Sequence, residues 1–185
     1  GAIQRFAKDV VARHPDLNVL VNNAGILRYE PLTERRNLGD AEATIVTNFL
    51  GPIRLIDALV DHLSGTPDSA IVNVTSGLAF VPLPSAATYS ATKAAIHSYT
   101  QSLRARLQDK VEVIELAPPG VQTDLTPGQA TRDGYMPLES FADEVIALFG
   151  QQPTPPEILV ENVRYLRFAE REGQQAEALA MLNQH

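Results

Sequence analysis

Two short runs decide how this chain reads: Ser69-Ala70-Ile71-Val72-Asn73-Val74-Thr75-Ser76 and Tyr89-Ser90-Ala91-Thr92-Lys93. The first is apolar, rich in β-branched residues and short, which predicts a buried parallel strand closed by a serine. The second opens a helix that begins near Ala86. Its Ile96, Tyr99, Leu103 and Leu107 recur at spacings of three and four and form an apolar stripe. Tyr89 and Lys93, four apart, share one face of the first turns and lie close enough to interact.

That trio has a chemistry. A free tyrosine has a pKa near 10 and is a poor base at neutral pH. A lysine ammonium beside it favours the phenolate and lowers that value, which suits general acid–base catalysis. A hydroxyl at the C-terminal end of a parallel strand sits where open α/β sheets bind their ligands. Taken alone, the pattern more often describes a turn serine, a half-buried tyrosine and a solvated lysine.

Other segments change the balance. Asn22-Asn23-Ala24-Gly25, Asn48, Ser76, Tyr89 with Lys93, and Pro118-Pro119-Gly120-Val121-Gln122-Thr123 follow one another in order, with thirteen positions from Ser76 to Tyr89. Over about residues 3 to 150 the sequence resembles the short-chain dehydrogenase/reductase family. The resemblance implies a doubly wound, Rossmann-type parallel sheet, a nicotinamide cofactor (NAD or NADP) and a small-molecule carbonyl or alcohol substrate. It implies that Tyr89 is the general acid/base and that Lys93 lowers its pKa and holds the nicotinamide ribose. Ser76 would bind the substrate oxygen, and Asn48 would hold a water linking Lys93 to solvent. Asn22, Ala24 and Gly25 would line the adenosine side of the cofactor. Val121 would meet the carboxamide through its backbone, and Thr123 would contact the cofactor through its hydroxyl. Aligned on Thr123, Pro119 stands where the family has glycine, so the turn that contacts the cofactor there is stiffer. Thr123-Asp124 also reads as a helix N-cap or turn, and the two readings are compatible.

Composition narrows the classes. With 185 residues, 44% apolar and 20% charged, the chain reads as one soluble domain of ordinary size. A net charge of −7 argues against nucleic acid as a partner. There is no cysteine, so no thiolate metal site, and no metal site is expected from the other residues. No apolar run reads as a membrane span and no signal peptide is evident, so a cytoplasmic location is expected.

Working outward, residues 3 to 13 read as an amphipathic helix with Ile3, Phe6, Ala7 and Val10 on one face. Leu17 to Val21 is an apolar strand entering Asn22-Asn23-Ala24-Gly25, where Gly25 removes a Cβ obstacle to a ligand. Ala41 to Leu63 is a long helix through Ile45, Phe49, Ile53, Ile56 and Val60, with Pro52 four residues after Asn48. The proline cannot donate to the Asn48 carbonyl and predicts a kink there. Lys110 to Leu116 alternates charge and apolarity as a half-buried strand, and Thr126 to Pro137 reads as a mobile lid. Leu78 to Pro84, with Phe80 and Val81, is expected as the opposite wall of an apolar site. Ser140 to Phe149 is a helix with Phe141, Val145, Ile146 and Phe149 inward.

Residues 1–150 thus form a partial Rossmann-type domain, 151–156 a proline-rich linker, and 157–185 a helical extension with helices over 157–172 and 174–183. This tail, with Pro118-Pro119, resembles a bacterial oxidoreductase subgroup found near lipoteichoic-acid D-alanylation operons. A dinucleotide fold opens with a strand, a glycine-rich turn and a helix, and about 65 to 75 residues of that first unit are not in this sequence. The chain is therefore expected to be N-terminally truncated, with an open edge at the strand ending at Val21. Two functions remain in view: a nicotinamide-dependent oxidoreductase, or an inactive truncated copy serving as an interaction module. The family's habit implies a homodimer or homotetramer through helices 41–63 and 86–107.

Overall fold

The computed structural model describes residues 1–184. Four strands, β1 (Val19–Asn22), β2 (Ala70–Val74), β3 (Glu112–Leu116) and β4 (Glu157–Ile158), lie parallel in the order β1-β2-β3-β4. Val21, Val72 and Ile114 stand side by side across the sheet. Because side chains alternate along a strand, Leu20 and Ile71 point to one face while Val72 and Ile114 point to the other. Helices α1 (Ala2–Arg13), α3 (Gly51–Ser64) and α4 (Ala87–Leu107) cover the first face, packing Ala7, Ile56, Leu59 and Leu63 with Leu103 on Ile71. Helices α5 (Leu138–Phe149) and α6 (Glu161–Phe168) cover the second through Val145 and Val163, with Val160 just before α6. Helices on both faces of a parallel sheet make the α/β, doubly wound, Rossmann-type arrangement.

The second face is covered over β2, β3 and β4 but not over β1. Val19 and Val21 are 44% and 53% exposed there, and β1 pairs on one side only.

The long helix predicted over 41–63 is three pieces: α2 (Gly39–Ile45), a π turn at Val46–Leu50 and α3. Gly51 N–H bonds to the Val46 carbonyl, the wide spacing of a π turn. The predicted irregularity before Pro52 takes this form. The extra residue rotates the apolar stripe, so Ile45 and Val46 face outward while Ile56, Leu59 and Leu63 are buried. By length and composition alone the continuous 26-residue helix Gly39–Ser64 could cross a membrane, contrary to the sequence expectation. Here its Ile56, Leu59 and Leu63 lie inside the protein.

Four other expectations are corrected. Phe6 is more than half exposed, since the small Ala7 is what fits against α3. Ile146 points outward from α5, with Val145 inward. Glu115 is fully buried on a strand whose pattern predicts half burial, because His97 on α4 and Thr75, just past β2, meet it. The segment from Glu157 begins as strand β4, not helix. Pro155-Pro156 favours extended backbone before it, and β3 supplies the ladder: Glu115 N–H donates to the Pro156 carbonyl at 3.0 Å and Ala117 N–H to that of Ile158 at 3.2 Å. Only then do α6 and α7 (Gln175–Leu182) follow. Ala169 and Ala178 bury against Val81.

Candidate active site

Strand β2 ends at Val74, and Ser76 follows at its C-terminal end, 8% exposed, its Oγ accepting from Leu78 N–H at 3.1 Å. Tyr89 lies in the first turn of α4, 6% exposed, and Lys93 one turn later, 5% exposed. Lys93 Nζ donates to the Val74 carbonyl at 2.8 Å and stands 5.5 Å from the Tyr89 ring centre. Ser76 and Tyr89 open onto a cavity of about 570 Å³ that Pro118, Pro119 and Gly120 also line.

Helix α4 is anchored at this end by a residue that sequence reading missed. Glu30, on the irregular 26–39 stretch, accepts from the Thr88 backbone N–H and from its hydroxyl at 3.0 Å, and pairs with Arg36 at 2.7 Å. Burial raises the Glu30 pKa, but those hydrogen bonds and the Arg36 charge outweigh it and hold the carboxyl below its usual range. A carboxylate at a helix N-terminus caps free N–H groups and suits the helix dipole. Its 58-residue separation from Thr88 leaves no local signal.

Asn48 sits in the π turn, 2% exposed. Its amide grips Ile26 from both sides: Oδ1 accepts from Ile26 N–H at 2.9 Å, and Nδ2 donates to the Ile26 carbonyl at 2.9 Å. Nδ2 also reaches Thr92 Oγ1 at 3.3 Å. Gly25 adjoins this clamp. A Cβ there would lie in ordinary contact, 3.5 Å from Asn48 Oδ1 and 3.7 Å from Lys93 Nζ, so Gly25 borders the space before the lysine. An ammonium has three donors, and Lys93 uses one on Val74.

The other expected contacts are more scattered. Asn22 ends β1 and is buried, its Nδ2 donating to Asn73 Oδ1 at 2.8 Å, while Asn73 Nδ2 donates to Thr100 Oγ1 at 2.9 Å. This chain ties β1, β2 and α4 together. Ala24 is exposed on the loop beyond. Val121 is buried, its carbonyl accepting from Gln129 Nε2 at 2.8 Å, and Thr123 Oγ1 accepts from the same amide at 3.1 Å. Gln129 was also missed, although Thr126, whose hydroxyl donates to its Oε1 at 2.9 Å, lies only three residues away. Through Gln129, and through Met136 N–H to the Gly120 carbonyl at 2.8 Å, the 126–137 segment is pinned rather than free as predicted. Phe80 and Val81 also depart from expectation. Val81 is buried under α7, and Phe80 turns to His97 and Arg167, leaving Leu78 and Leu83 as the wall.

Electrostatics reverse one expectation. Burial pushes the Tyr89 phenol up to about 12, against a smaller lowering from the Ser76 hydroxyl, and burial pushes Lys93 down to about 8. Burial, not the attraction to Lys93 expected from their spacing, sets the tyrosine's value. At neutral pH the phenol keeps its proton and can donate it.

Behind the site, His97 Nδ1 lies 2.8 and 3.0 Å from the two Glu115 oxygens, and Glu115 also accepts from Thr75 Oγ1 at 2.7 Å. Glu157 is held by the Arg167 fork at 2.8 and 2.9 Å. His97, Glu115 and Glu157 offer ligand atoms within 4.8 Å of one another, but each already has a partner.

A strand-end serine beside a buried Tyr-x-x-x-Lys, on a parallel sheet and open to a pocket, defines a class of protein. The chain belongs to the short chain dehydrogenase family, whose family model matches residues 1–133. It is 42% identical over 164 residues to the uncharacterized oxidoreductase DltE of Bacillus subtilis (strain 168), which agrees with the bacterial subgroup the tail resembles. That match covers 85% of this chain and 64% of DltE, so the chain spans less than two thirds of that relative. General stress protein 39 of the same organism is 32% identical, covering 73% of this chain and 43% of that protein. Among solved structures, a short chain dehydrogenase from Burkholderia cenocepacia J2315 in complex with NADP superposes with a TM-score of 0.80 at 28% identity, covering 97% of this chain and 75% of that one. An alcohol dehydrogenase from the archaeon Thermococcus sibiricus, complexed with 5-hydroxy-NADP, gives 0.70 at 27% identity, covering 80% and 63%.

Proposed function

We propose that this chain carries the proton-transfer part of an oxidoreductase that moves a hydride between a nicotinamide cofactor, NAD or NADP, and a carbonyl compound or secondary alcohol. The observation that carries the reading is Tyr89: a buried phenol facing a cavity beside Ser76, with the Lys93 ammonium behind it. The NADP-bound Burkholderia relative supports the choice of cofactor class.

Tyr89 gives its proton to the substrate oxygen during reduction and takes it back during oxidation. Ser76 Oγ hydrogen-bonds the same oxygen and orients the carbonyl. Lys93 favours the phenolate left behind, and its two unused N–H donors, facing the space bordered by Gly25, fit ribose hydroxyls. The cofactor, when bound, supplies or accepts the hydride. Asn22, Ala24, Pro119, Val121 and Thr123 are assigned to its binding surface. The Asn48 side chain is taken up by Ile26 and Thr92, so its share in a proton relay falls to its main-chain carbonyl. Pro52, four residues on, has no N–H to occupy that carbonyl.

Ile45 and Val46, exposed on the 39–64 helix, support a homodimer or homotetramer through helices 41–63 and 86–107. A cytoplasmic location fits the same reading. The family match favours the enzyme over an inert interaction module. Tyr89→Phe in the intact protein is the test, read as nicotinamide-dependent ketone reduction. A loss of about 10²- to 10⁴-fold is expected, and activity near wild type would overturn the assignment.

A further inference from the structure

Leu27, buried, and Leu78, Leu83 and Leu166, half-buried, give the cavity above Tyr89 an apolar lining. Its rim is different: Arg132, Asp133, Tyr135 and Tyr29 stand there. Arg132 is the one cationic residue lining this cavity among the described residues, and it makes no ion pair.

Arg132 is placed rather than loose. Its Nη1 donates to the Tyr135 hydroxyl at 3.2 Å, its guanidinium lies 5.2 Å from that ring's centre, and the Tyr29 phenol stands close by. The Tyr135 ring rests on Gly120, where a Cβ would come within 3.1 Å of it. Backbone bonds fix the residue too: Arg132 N–H donates to the Gln129 carbonyl at 3.1 Å, and Gln122 Nε2 donates to the Arg132 carbonyl at 3.3 Å. A guanidinium has five donors in a planar fork; the Tyr135 hydroxyl takes one and the Tyr29 phenol faces another. The remaining edge matches a carboxylate, which accepts two parallel hydrogen bonds.

Resting on the reading of Ser76 and Tyr89 as the reacting end, the geometry points to a substrate with two parts: an apolar body ending in the carbonyl or alcohol, and a carboxylate at the far end read by Arg132. In a chain of net charge −7, a local cation such as Arg132 offsets the general repulsion that an anion meets. Asp133, on the same rim, disfavours a second negative charge, so a monocarboxylate fits better than a phosphate dianion.

The probes are 7-oxooctanoate and its methyl ester, titrated into the protein by calorimetry at low ionic strength. Arg132 is exposed, so the acid is expected to bind about two- to fivefold tighter than the ester, as one charged contact at an exposed site provides. Arg132→Gln should bring the ratio of the two affinities close to one, and Arg132→Lys should restore part of it. Equal affinities in the wild type, a preference for acid that survives Arg132→Gln, or no binding of either probe at millimolar concentration would each overturn the inference. The oxidoreductase reading fails by a different sign: Tyr89→Phe leaves turnover intact while the acid-to-ester ratio still responds to Arg132.

Discussion

Tyr89, Lys93 and His97 follow one another at four-residue intervals on one face of α4, yet the front and back of that stripe are built on opposite terms. At the front, Tyr89 and Lys93 are buried with few partners, and desolvation moves both away from their charged forms. At the back, His97 meets both oxygens of Glu115, Thr75 completes that carboxylate, and Arg167 holds Glu157 with two hydrogen bonds. Burial alone would raise the Glu157 carboxyl, but Arg167 with the nearby His97 and Arg104 charges holds it below its usual range. One helix thus carries an under-satisfied region, where the proposed function moves protons, and a saturated region, where every charged group is paired. A fully paired buried network rigidifies, whereas an unpaired group is costly and is retained where it has a task.

The sharpest way to break this contrast is to exchange the two kinds of loss. Tyr89→Phe removes a hydroxyl that gives the fold little. Turnover should drop by about 10²- to 10⁴-fold, while the urea midpoint stays within experimental error of wild type. Glu115→Ala should do the reverse at the back. It leaves His97 and Thr75 without their buried partner, and a loss of about 3–5 kcal/mol is expected, measured by urea unfolding. A change below about 1 kcal/mol would show that the back is no more committed than a surface pair.

Lys93→Met sharpens the comparison through pH. A lysine with a folded pKa of about 8 against 10.5 unfolded binds fewer protons folded than unfolded between those values. Stability therefore rises with pH across that window, by about 2 kcal/mol between pH 7 and pH 9.5. Tyr89 acts oppositely and higher: with about 12 folded against 10 unfolded, it erodes stability between those values. The methionine variant should lose the rise and keep the later fall. An unchanged rise would mean that Lys93 is better compensated than its surroundings indicate.

The smallest effect is expected at the anchor of the helix. Glu30→Gln keeps the shape but weakens the bonds to Thr88 and Arg36, for a loss of about 1 kcal/mol. It should lower turnover only through displacement of Tyr89, so kcat falls with little change in KM.

Much of this was legible in sequence because it is local. The β2 run, the stripe of α4 and the Tyr89–Lys93 spacing predict a parallel α/β fold with Ser76 and Tyr89 in one place, and both lie on one cavity. The irregularity before Pro52 was legible too, though not its form as a π turn that turns Ile45 outward. What stayed hidden depends on partners distant in sequence. Glu115 looked like the solvent side of an alternating strand because His97 and Thr75 lie 18 and 40 residues away. Strand β4 looked helical because its apolar spacing fits either period, and the deciding ladder comes from β3. The lowered tyrosine pKa was a pairwise inference, and burial, which only the fold reveals, outweighs it.

Gly77 joins the two sources of this site. A Cβ there would lie 2.9 Å from both Leu166 and Val163, so α6 seats itself directly on the backbone beside Ser76. Ser76, Tyr89 and Lys93, the groups proposed to move protons, come from residues before 94, whereas part of the cavity wall, Leu166 and Leu182, comes from the tail. One section of the cavity wall is therefore encoded apart from Ser76, Tyr89 and Lys93, while Leu27, Leu78 and Leu83 come from the same stretch as those residues. A lineage could trade one tail for another, and so one substrate for another, without disturbing the reacting groups, provided residue 77 kept no side chain.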